Sequence, residues 1–151
     1  MGCHISKSKV QNSNFESVET FSFDGIKTDA KVVKVYDGDT IWIVFNYRKK
    51  LTKTKVRMLG YDSPELKPPK NLINRNAEIS RAIAAKKYLE SLVLNKVVKV
   101  HLSKFDKYGR PLCTIYIPDP DTKFIPCANK LCVNTLMVRT NHGVTYMGGT
   151  K

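Results

Sequence analysis

Three short segments of the chain concentrate acidic, basic and hydroxyl side chains. The segments are Asp37-Gly38-Asp39-Thr40, Arg57 followed by Tyr61-Asp62-Ser63-Pro64-Glu65, and Asp106-Lys107-Tyr108-Gly109-Arg110. Each alone has a purely structural interpretation, because hairpin turns, loop starts and solvated connections between strands use the same residue types. Taken together, they contain the groups that phosphodiester hydrolysis requires.

Hydrolysis of a phosphodiester passes through a dianionic transition state, which a metal ion and fixed positive groups must neutralise. Arg57 and Arg110 suit this task because a planar guanidinium binds two phosphoryl oxygens at once and stays charged. Asp39 and Asp62 offer carboxylate oxygens, the ligands that a hard cation such as Ca²⁺ prefers. Glu65 lies three residues beyond Asp62 and is a candidate for orienting and deprotonating a water molecule.

In this order and spacing the segments resemble the staphylococcal nuclease (thermonuclease) family, over about residues 28–147. The matching motifs are V-Y-D-G-D-T, V-R-M-L-G-Y-D-S-P-E and F-D-K-Y-G-R-P-L. The resemblance implies a Ca²⁺-dependent nuclease that cleaves DNA and RNA and leaves 3′-phosphate and 5′-hydroxyl ends. It also implies low sequence specificity, as expected when contacts go mainly to phosphate and sugar.

The resemblance assigns a role to each matching residue. Asp39, Asp62 and the main-chain carbonyl of Ser63 would bind Ca²⁺, and the catalytic residues would be Arg57, Glu65 and Arg110. Lys107 and Tyr108 would contact a neighbouring phosphate, and Tyr146 is a looser match to an aromatic residue that lines the nucleotide site. Ser63 stands where the family usually has threonine, which matters little if only its carbonyl binds the metal.

The elements that must position these residues follow from hydrophobic patterning. Residues 30–36, 40–45 and 55–59 are strand-like; the turn dipeptide Asp37-Gly38 joins the first two. Residues 46–54 are read as a polar loop, longer and more basic than is typical of the family. Residues 98–102 and 112–117 alternate as two further strands, and residues 118–129 form an enlarged Pro/Asp loop.

Two helices complete the pattern. Over residues 76–93, apolar side chains recur at steps of three and four and predict one buried stripe, which comprises Ile79, Ala82, Ala85, Leu89 and Leu92. Asn95 is expected to stop this helix. A short terminal helix buries Val133, Leu136 and Met137, and Gly143 is placed at its end. The order predicts an α+β fold: a five-stranded Greek-key barrel of the OB type, with one helix between strands 3 and 4 and a C-terminal helix.

The charge balance favours a polyanionic partner. The chain of 151 residues has 26 Lys and Arg against 13 Asp and Glu, a net charge of +13. DNA and RNA are therefore the expected partners of what we predict to be a monomer, although an anionic membrane surface would attract the same charge. No apolar stretch approaches the ~18 residues that indicate a transmembrane helix.

Residues 1–27 lack lasting periodicity and are predicted to be a flexible arm that precedes a domain over residues 28–151. The arm begins Met1-Gly2-Cys3-His4-Ile5-Ser6, which matches the N-myristoylation pattern at Gly2 and offers Cys3 for palmitoylation. Two acyl chains would anchor the protein to the cytoplasmic side of a membrane. Without acylation a cytoplasmic protein is expected, since the start of the chain lacks the apolar core of a secretory signal.

Some alternatives remain open from the sequence. Cys3, Cys113, Cys127 and Cys132 are expected to be reduced thiols, although Cys127 and Cys132 also have a spacing that zinc ligands use. The main rival to a nuclease is a binding module with the same barrel and an inactive site. A weaker rival is a basic scaffold tethered to a membrane.

Overall fold

The computed structural model describes residues 6–119 and 130–146. Its strands are β1 (Lys27–Val35), β2 (Thr40–Tyr47), β3 (Lys50–Met58), β4 (Tyr61–Asp62), β5 (Val97–Phe105), β6 (Pro111–Pro118), β7 (Lys130–Cys132) and β8 (Val144–Thr145). Its helices are α1 (Lys7–Gln11), α2 (Arg75–Val93) and α3 (Val133–Arg139), with a 3₁₀ turn over Phe15–Ser17.

Five of these strands close into a barrel. The neighbours run β3-β2-β1-β5-β6, and a parallel pairing of β3 with β6 joins the two ends. In that closure Arg57 pairs with Leu112 and Met58 pairs with Cys113. Alternate side chains of every strand fill the interior, among them Val32, Ile43, Val56, Val100 and Ile115, each 0% exposed. The five-stranded OB-type barrel with a helix between its third and fourth strands is confirmed.

The prediction of a loop over residues 46–54 is wrong. Strand β2 continues to Tyr47, and strand β3 begins at Lys50. A two-residue turn at Arg48 and Lys49 joins them. Both turn residues have positive φ, 49° and 63°, as a tight type I′ hairpin requires. Basic side chains on the outward face of a strand do not oppose pairing, and β-branched Thr52 and Thr54 favour it.

Helix α2 packs its small and apolar stripe on the barrel. Ala82, Ala85 and Leu89 are fully buried as predicted, whereas Val93 rather than Leu92 completes the buried set. The helix ends at Val93, and Asn95 follows in the left-handed region with φ 60°. Asparagine tolerates that conformation better than most residues, which confirms its place at the end of the helix.

The C-terminal helix differs in how it begins and ends. Strand β7, which the sequence pattern did not predict, pairs with β6 just before α3. Val133 and Met137 are buried as expected, and Leu136 is half-buried. The helix ends at Arg139, and Asn141 rather than Gly143 takes the left-handed conformation after it, with φ 59°. Gly143 lies instead against the ring of Tyr61. A Cβ at this position would stand 2.5 Å from Tyr61 Cδ2, so there is no room for a side chain.

The core begins upstream of the predicted boundary at residue 28. Phe23 is 6% exposed, and its ring lies 5.6 Å from Phe45, 5.2 Å from Tyr47 and 5.8 Å from Phe105 between centroids. Such clusters of aromatic rings contribute both buried area and edge-to-face attraction. The segment before β1 therefore covers one part of the barrel.

Several predictions concern residues beyond the described part of the chain. Gly2 and Cys3 lie there, so N-terminal acylation stays a prediction. Cys127 lies there too, and with it the zinc alternative; Cys113 and Cys132 are free thiols. Among residues 6–119 and 130–146, no helix has the length and hydropathy to cross a membrane.

Candidate active site

Arg57 brings two of the predicted metal ligands together. Its neighbour across the β2–β3 pairing is Thr40, which places the guanidinium beside Asp39. Arg57 Nη1 lies 3.1 Å from Asp39 Oδ1, and Nη2 contacts Asp62 Oδ1. The Asp39 side chain is 8% exposed and that of Arg57 18%, so one guanidinium neutralises two carboxylates in a mostly desolvated setting.

Two further hydrogen bonds fix the Asp39 carboxylate. Thr40 Oγ1 donates to Asp39 Oδ1 at 2.8 Å, and the backbone N–H of Ser63 donates to Asp39 Oδ2 at 3.1 Å. The second bond joins residues that are 24 positions apart in sequence. The first two sequence segments thus meet at one carboxylate.

Gly38 allows that close approach. A Cβ at this position would lie 2.7 Å from Ser63 Cβ and 2.9 Å from Ala85 Cβ, on helix α2. Its φ lies outside the left-handed region, so the glycine is needed for space and not for turn geometry. The buried Tyr61 hydroxyl donates to Gly38 O at 2.8 Å and ties the turn to β4.

The third segment forms a self-bonded loop around Asp106. The Asp106 carboxylate accepts the backbone N–H groups of Tyr108 and Arg110, both at 2.9 Å, and the Arg110 Nε–H at 2.7 Å. Burial alone would raise the pKa of Asp106, but these hydrogen bonds outweigh it and hold the pKa below its usual value. Gly109 completes the turn with φ 74°.

Arg110 reaches the same place as Arg57. Its Nη1 donates to Thr40 Oγ1 at 3.4 Å, and that hydroxyl in turn donates to Asp39 Oδ1. The closure of the barrel explains this convergence: Arg57 pairs with Leu112, two residues beyond Arg110. The two guanidinium groups and the two aspartates are therefore gathered at one end of β2, β3 and β6.

Glu65 lies at the edge of this group. It is exposed, and its backbone N–H donates to Glu78 Oε1 at 3.1 Å. Glu78 also pairs with Arg81, on the next turn of α2, at 2.6 Å. Glu78 thus holds the loop that carries Glu65 against the helix. No pattern in the sequence indicates this contact, since Glu78 resembles any acidic residue in a first helical turn.

Asp37 belongs to the first segment, but its residue type and position alone predict no chemical role. Burial, and then the nearby charge of Asp39, raise the pKa of Asp37 to about 6. Its Oδ1 accepts the backbone N–H of Asp39 at 3.2 Å. Three aspartates therefore concentrate negative charge at this end of the barrel.

The predicted nucleic-acid contacts lie on two segments that adjoin the arginines and aspartates in the fold, the Asp106 loop and the C-terminal strand. Lys107 and Tyr108 are exposed on the Asp106 loop, with Lys107 Nζ 5.2 Å from the centre of the Tyr108 ring. The backbone N–H of Tyr146 donates to Gly60 O at 3.0 Å. Because Val144 pairs with Asp62, the C-terminal strand runs directly beside the segment that carries the second carboxylate.

The donor chemistry fits a weakly held hard cation. Asp39, Asp62 and the Ser63 carbonyl offer oxygen atoms only, and Ca²⁺ takes six to eight oxygen ligands in flexible geometry. In the described part of the chain, no three His, Cys, Asp or Glu side chains are arranged as a metal-binding group. Water would therefore have to supply much of the coordination.

The fold and site together define an OB-type barrel that carries an arginine–carboxylate centre at one end. Residues 55–147 match the family model described as staphylococcal nuclease homologue, and the chain belongs to this family. Two relatives from Escherichia coli, one of them from the O157:H7 strain, are each described as an uncharacterized endonuclease. Each is 30% identical over 116 residues, which are 77% of this chain and 60% of the relative.

A further relative, an uncharacterized protein of Methanocaldococcus jannaschii, is 34% identical over 102 residues, 58% of this chain and 47% of its own length. The chain thus spans about half to three-fifths of the curated relatives that it matches.

Proposed function

We propose that this chain is a metal-dependent nuclease that hydrolyses phosphodiester bonds in DNA and RNA with little sequence preference. The observation that carries the proposal is the position of Arg57, whose guanidinium bridges Asp39 and Asp62 while Arg110 lies one hydroxyl group away. Residues from three distant segments would not need to meet in this way in a barrel that only binds. The names of the two Escherichia coli relatives support the proposal.

Arg57 and Arg110 can act on one phosphate from two sides. Each has N–H groups that could exchange a carboxylate or hydroxyl partner for a phosphoryl oxygen, and charge-assisted pairs of this kind are strong. The Asp106 loop holds Arg110 through its Nε–H, which leaves Nη1 directed at Thr40. Pre-organised guanidinium groups stabilise developing charge without reorganisation during the reaction.

In the same proposal Asp39, Asp62 and Ser63 hold Ca²⁺, which would supply further neutralisation of the phosphate. Glu65 is exposed on a loop that Glu78 fixes to α2, and its carboxylate is the group available to orient and deprotonate water. Products with 3′-phosphate and 5′-hydroxyl ends, as the family resemblance implies, belong to this proposal.

The test is a cutting assay with plasmid DNA, single-stranded DNA and RNA, in Ca²⁺ or in a chelator. We expect all three substrates to be cleaved in Ca²⁺ and none of them in the chelator. Arg57→Ala and Glu65→Ala should each lower the rate by about 10³-fold, as removal of a transition-state contact does. Arg139→Ala is the matched control, because Arg139 is exposed at the end of α3.

Loss of less than about tenfold in either variant would contradict the assigned roles. If the wild-type chain retards nucleic acid on a gel but cuts none in any metal, the binding module is the correct reading. Full activity at sub-micromolar free Ca²⁺ would contradict a site with only two carboxylates.

A further inference from the structure

One row of side chains leaves the candidate active site along the outside of the β2–β3 hairpin. Ile41 and Ile43 are buried in the barrel, so the alternating positions of β2 face outward. Residues directly opposite in an antiparallel pair share a face of the sheet. The outward row therefore consists of the pairs Thr40–Arg57, Trp42–Lys55 and Val44–Lys53.

The row combines aromatic and basic side chains. Lys55 Nζ lies 3.9 Å from the centre of the Tyr36 ring, and Lys53 Nζ lies 6.0 Å from that of Trp42. Tyr36 is 48% exposed. We call Tyr36, Trp42, Lys53 and Lys55 the hairpin strip. The register of β2 and β3 places Trp42, Lys53 and Lys55 on neighbouring positions. Tyr36 follows β1 and joins them through its contact with Lys55.

The charge of this face has one sign. Residues 30–36 and 40–58 contain eight lysines and arginines and no acidic residue. On β5, by contrast, Lys99 is paired with the acidic side chain of Asp29 at 2.8 Å. The hairpin strip therefore adds positive charge beside Arg57, whose own guanidinium is paired with Asp39 and Asp62.

The geometry of the strip suits an extended polyanion with exposed bases. The four residue steps from Arg57 to Lys53 span about 13 Å of strand, enough to follow a nucleic-acid backbone beyond the phosphate at the site. Aromatic rings next to such a basic track bind bases by stacking, without reading sequence. The bases of an intact duplex are stacked on each other and cannot use these rings.

We propose that the hairpin strip binds the nucleotides that flank the scissile phosphate in single-stranded nucleic acid. The inference rests on the proposed function for the position of the scissile phosphate, but the strip binds whether or not the chain cuts. Trp42 and Tyr36 stack on bases, and Lys53 and Lys55 contact phosphates. The strip thereby makes binding depend on the length of the strand.

The single tryptophan of the chain is a direct reporter of this contact. We expect Trp42 fluorescence of the full chain to be quenched by an oligothymidylate of about 12 nucleotides in a chelator, and far less by one of about 3, lengths that bracket the smaller site sizes of OB folds. A blunt duplex of the same length should quench little. Binding detected by anisotropy without any change in Trp42 fluorescence, or equal quenching by the duplex, would overturn the proposal.

Two variants test the strip by affinity. Trp42→Ala should weaken binding of the longer strand about tenfold, within the range for loss of one stacked base. Lys53→Glu, at an exposed position that leaves the core intact, should weaken it as well. It should also reduce the slope of log K against log salt by about 0.7 or more, the value for one phosphate contact to a single strand.

Lys87→Glu is the matched control. Lys87 is exposed on α2, away from the hairpin. Its substitution changes the net charge by the same amount as Lys53→Glu. If Lys53→Glu costs no more affinity than Lys87→Glu, the strip has no role. A chain that shows the length dependence but cuts nothing would disprove the proposed function and leave the strip standing. If the chain cuts nucleic acid but Trp42→Ala and Lys53→Glu bind as tightly as Lys87→Glu, the proposed function stands and the role of the strip is disproved.

Discussion

At the scale of single residues, Arg57 has two tasks that conflict. In the structure it pairs with Asp39 and Asp62, which makes it the counter-ion of a nearly buried carboxylate. In the proposed reaction it must release them to bind phosphate while the cation takes its place. A buried ion pair adds little net stability, but removal of one partner leaves an uncompensated charge and is costly.

Arg57→Gln should therefore lower stability and strengthen the effect of the metal. In a chelator we expect the free energy of unfolding to fall by about 3 kcal/mol, the lower end for a buried pair, because Arg57 is partly exposed. Ca²⁺ should then raise the Tm of the variant more than that of the wild type, since no guanidinium competes for the carboxylates.

Thermal unfolding with and without Ca²⁺ measures this difference independently of activity. Arg139→Gln serves as the control and should respond to Ca²⁺ as the wild type does. An equal Ca²⁺-dependent rise in Tm for Arg57→Gln and the wild type would show that the guanidinium and the cation do not share their ligands.

At the scale of elements, the Asp106 loop acts as a rigid support for Arg110. A carboxylate that accepts two backbone N–H groups and a guanidinium N–H fixes the backbone and the side chain together. The loop thus sets the direction of Arg110, whose Nη1 reaches Thr40 on β2, and positioning of this kind is what catalysis requires.

Asp106→Asn should destabilise the protein at neutral pH and progressively less in acid. The pKa of Asp106 in the folded chain lies below its ordinary value of 3.8. Its stabilising effect is therefore complete above that ordinary value and is lost as pH falls through the lowered pKa. Urea unfolding of the wild type and of Asp106→Asn at neutral pH and at a pH well below 3.8 should show the difference between their unfolding free energies narrowing in acid.

Asp29→Asn is the control for Asp106→Asn, because the exposed pair of Asp29 with Lys99 belongs to a class worth about 0–1 kcal/mol. A gap for Asp106→Asn that stays constant with pH would mean that the charge of Asp106 does not hold the loop. Asp106→Asn should also cut nucleic acid more slowly than the wild type, because a loosened Arg110 contributes less to transition-state binding.

At the scale of the whole molecule, closure of the barrel both protects the core and builds the site. The parallel pairing of β3 with β6 places Met58 beside Cys113 inside the barrel and Arg57 near Arg110 at its end. Opening this seam would expose the core and separate the two arginines. The stability of the barrel and the integrity of the site are therefore linked.

Cys113 reports on that closure. Burial raises the pKa of its thiol to about 12, so almost none of the thiol is ionised at neutral pH. Alkylation of Cys113 therefore requires the barrel to open. Iodoacetamide should label half-buried Cys132 well before Cys113 in the native protein, and both alike in denaturant. Peptide mass spectrometry separates the two sites; equal native rates would show that the barrel opens readily at β6.

The sequence by itself determined the residue types of the site and the order of the elements. Asp39, Arg57, Asp62 and Arg110 could be chosen because the chemistry of phosphate and of a hard cation restricts the usable side chains. The barrel strands and α2 could be predicted because alternation and the three-to-four spacing reflect which side faces the core. These are local properties of the chain.

Tertiary structure decided what depends on approach between distant segments. Gly38 is required because Ser63 and Ala85 pack against it, and Glu78 matters because the Glu65 loop lies on α2. The continuous β2–β3 hairpin and the early start of the core at Phe23 also escaped prediction. The polar residues of the hairpin have the composition of a loop, and a single buried phenylalanine forms no periodic pattern that could be recognised. Only closure of the barrel brings Arg57 and Arg110 together, because a local pattern carries no information about which strand pairs with which.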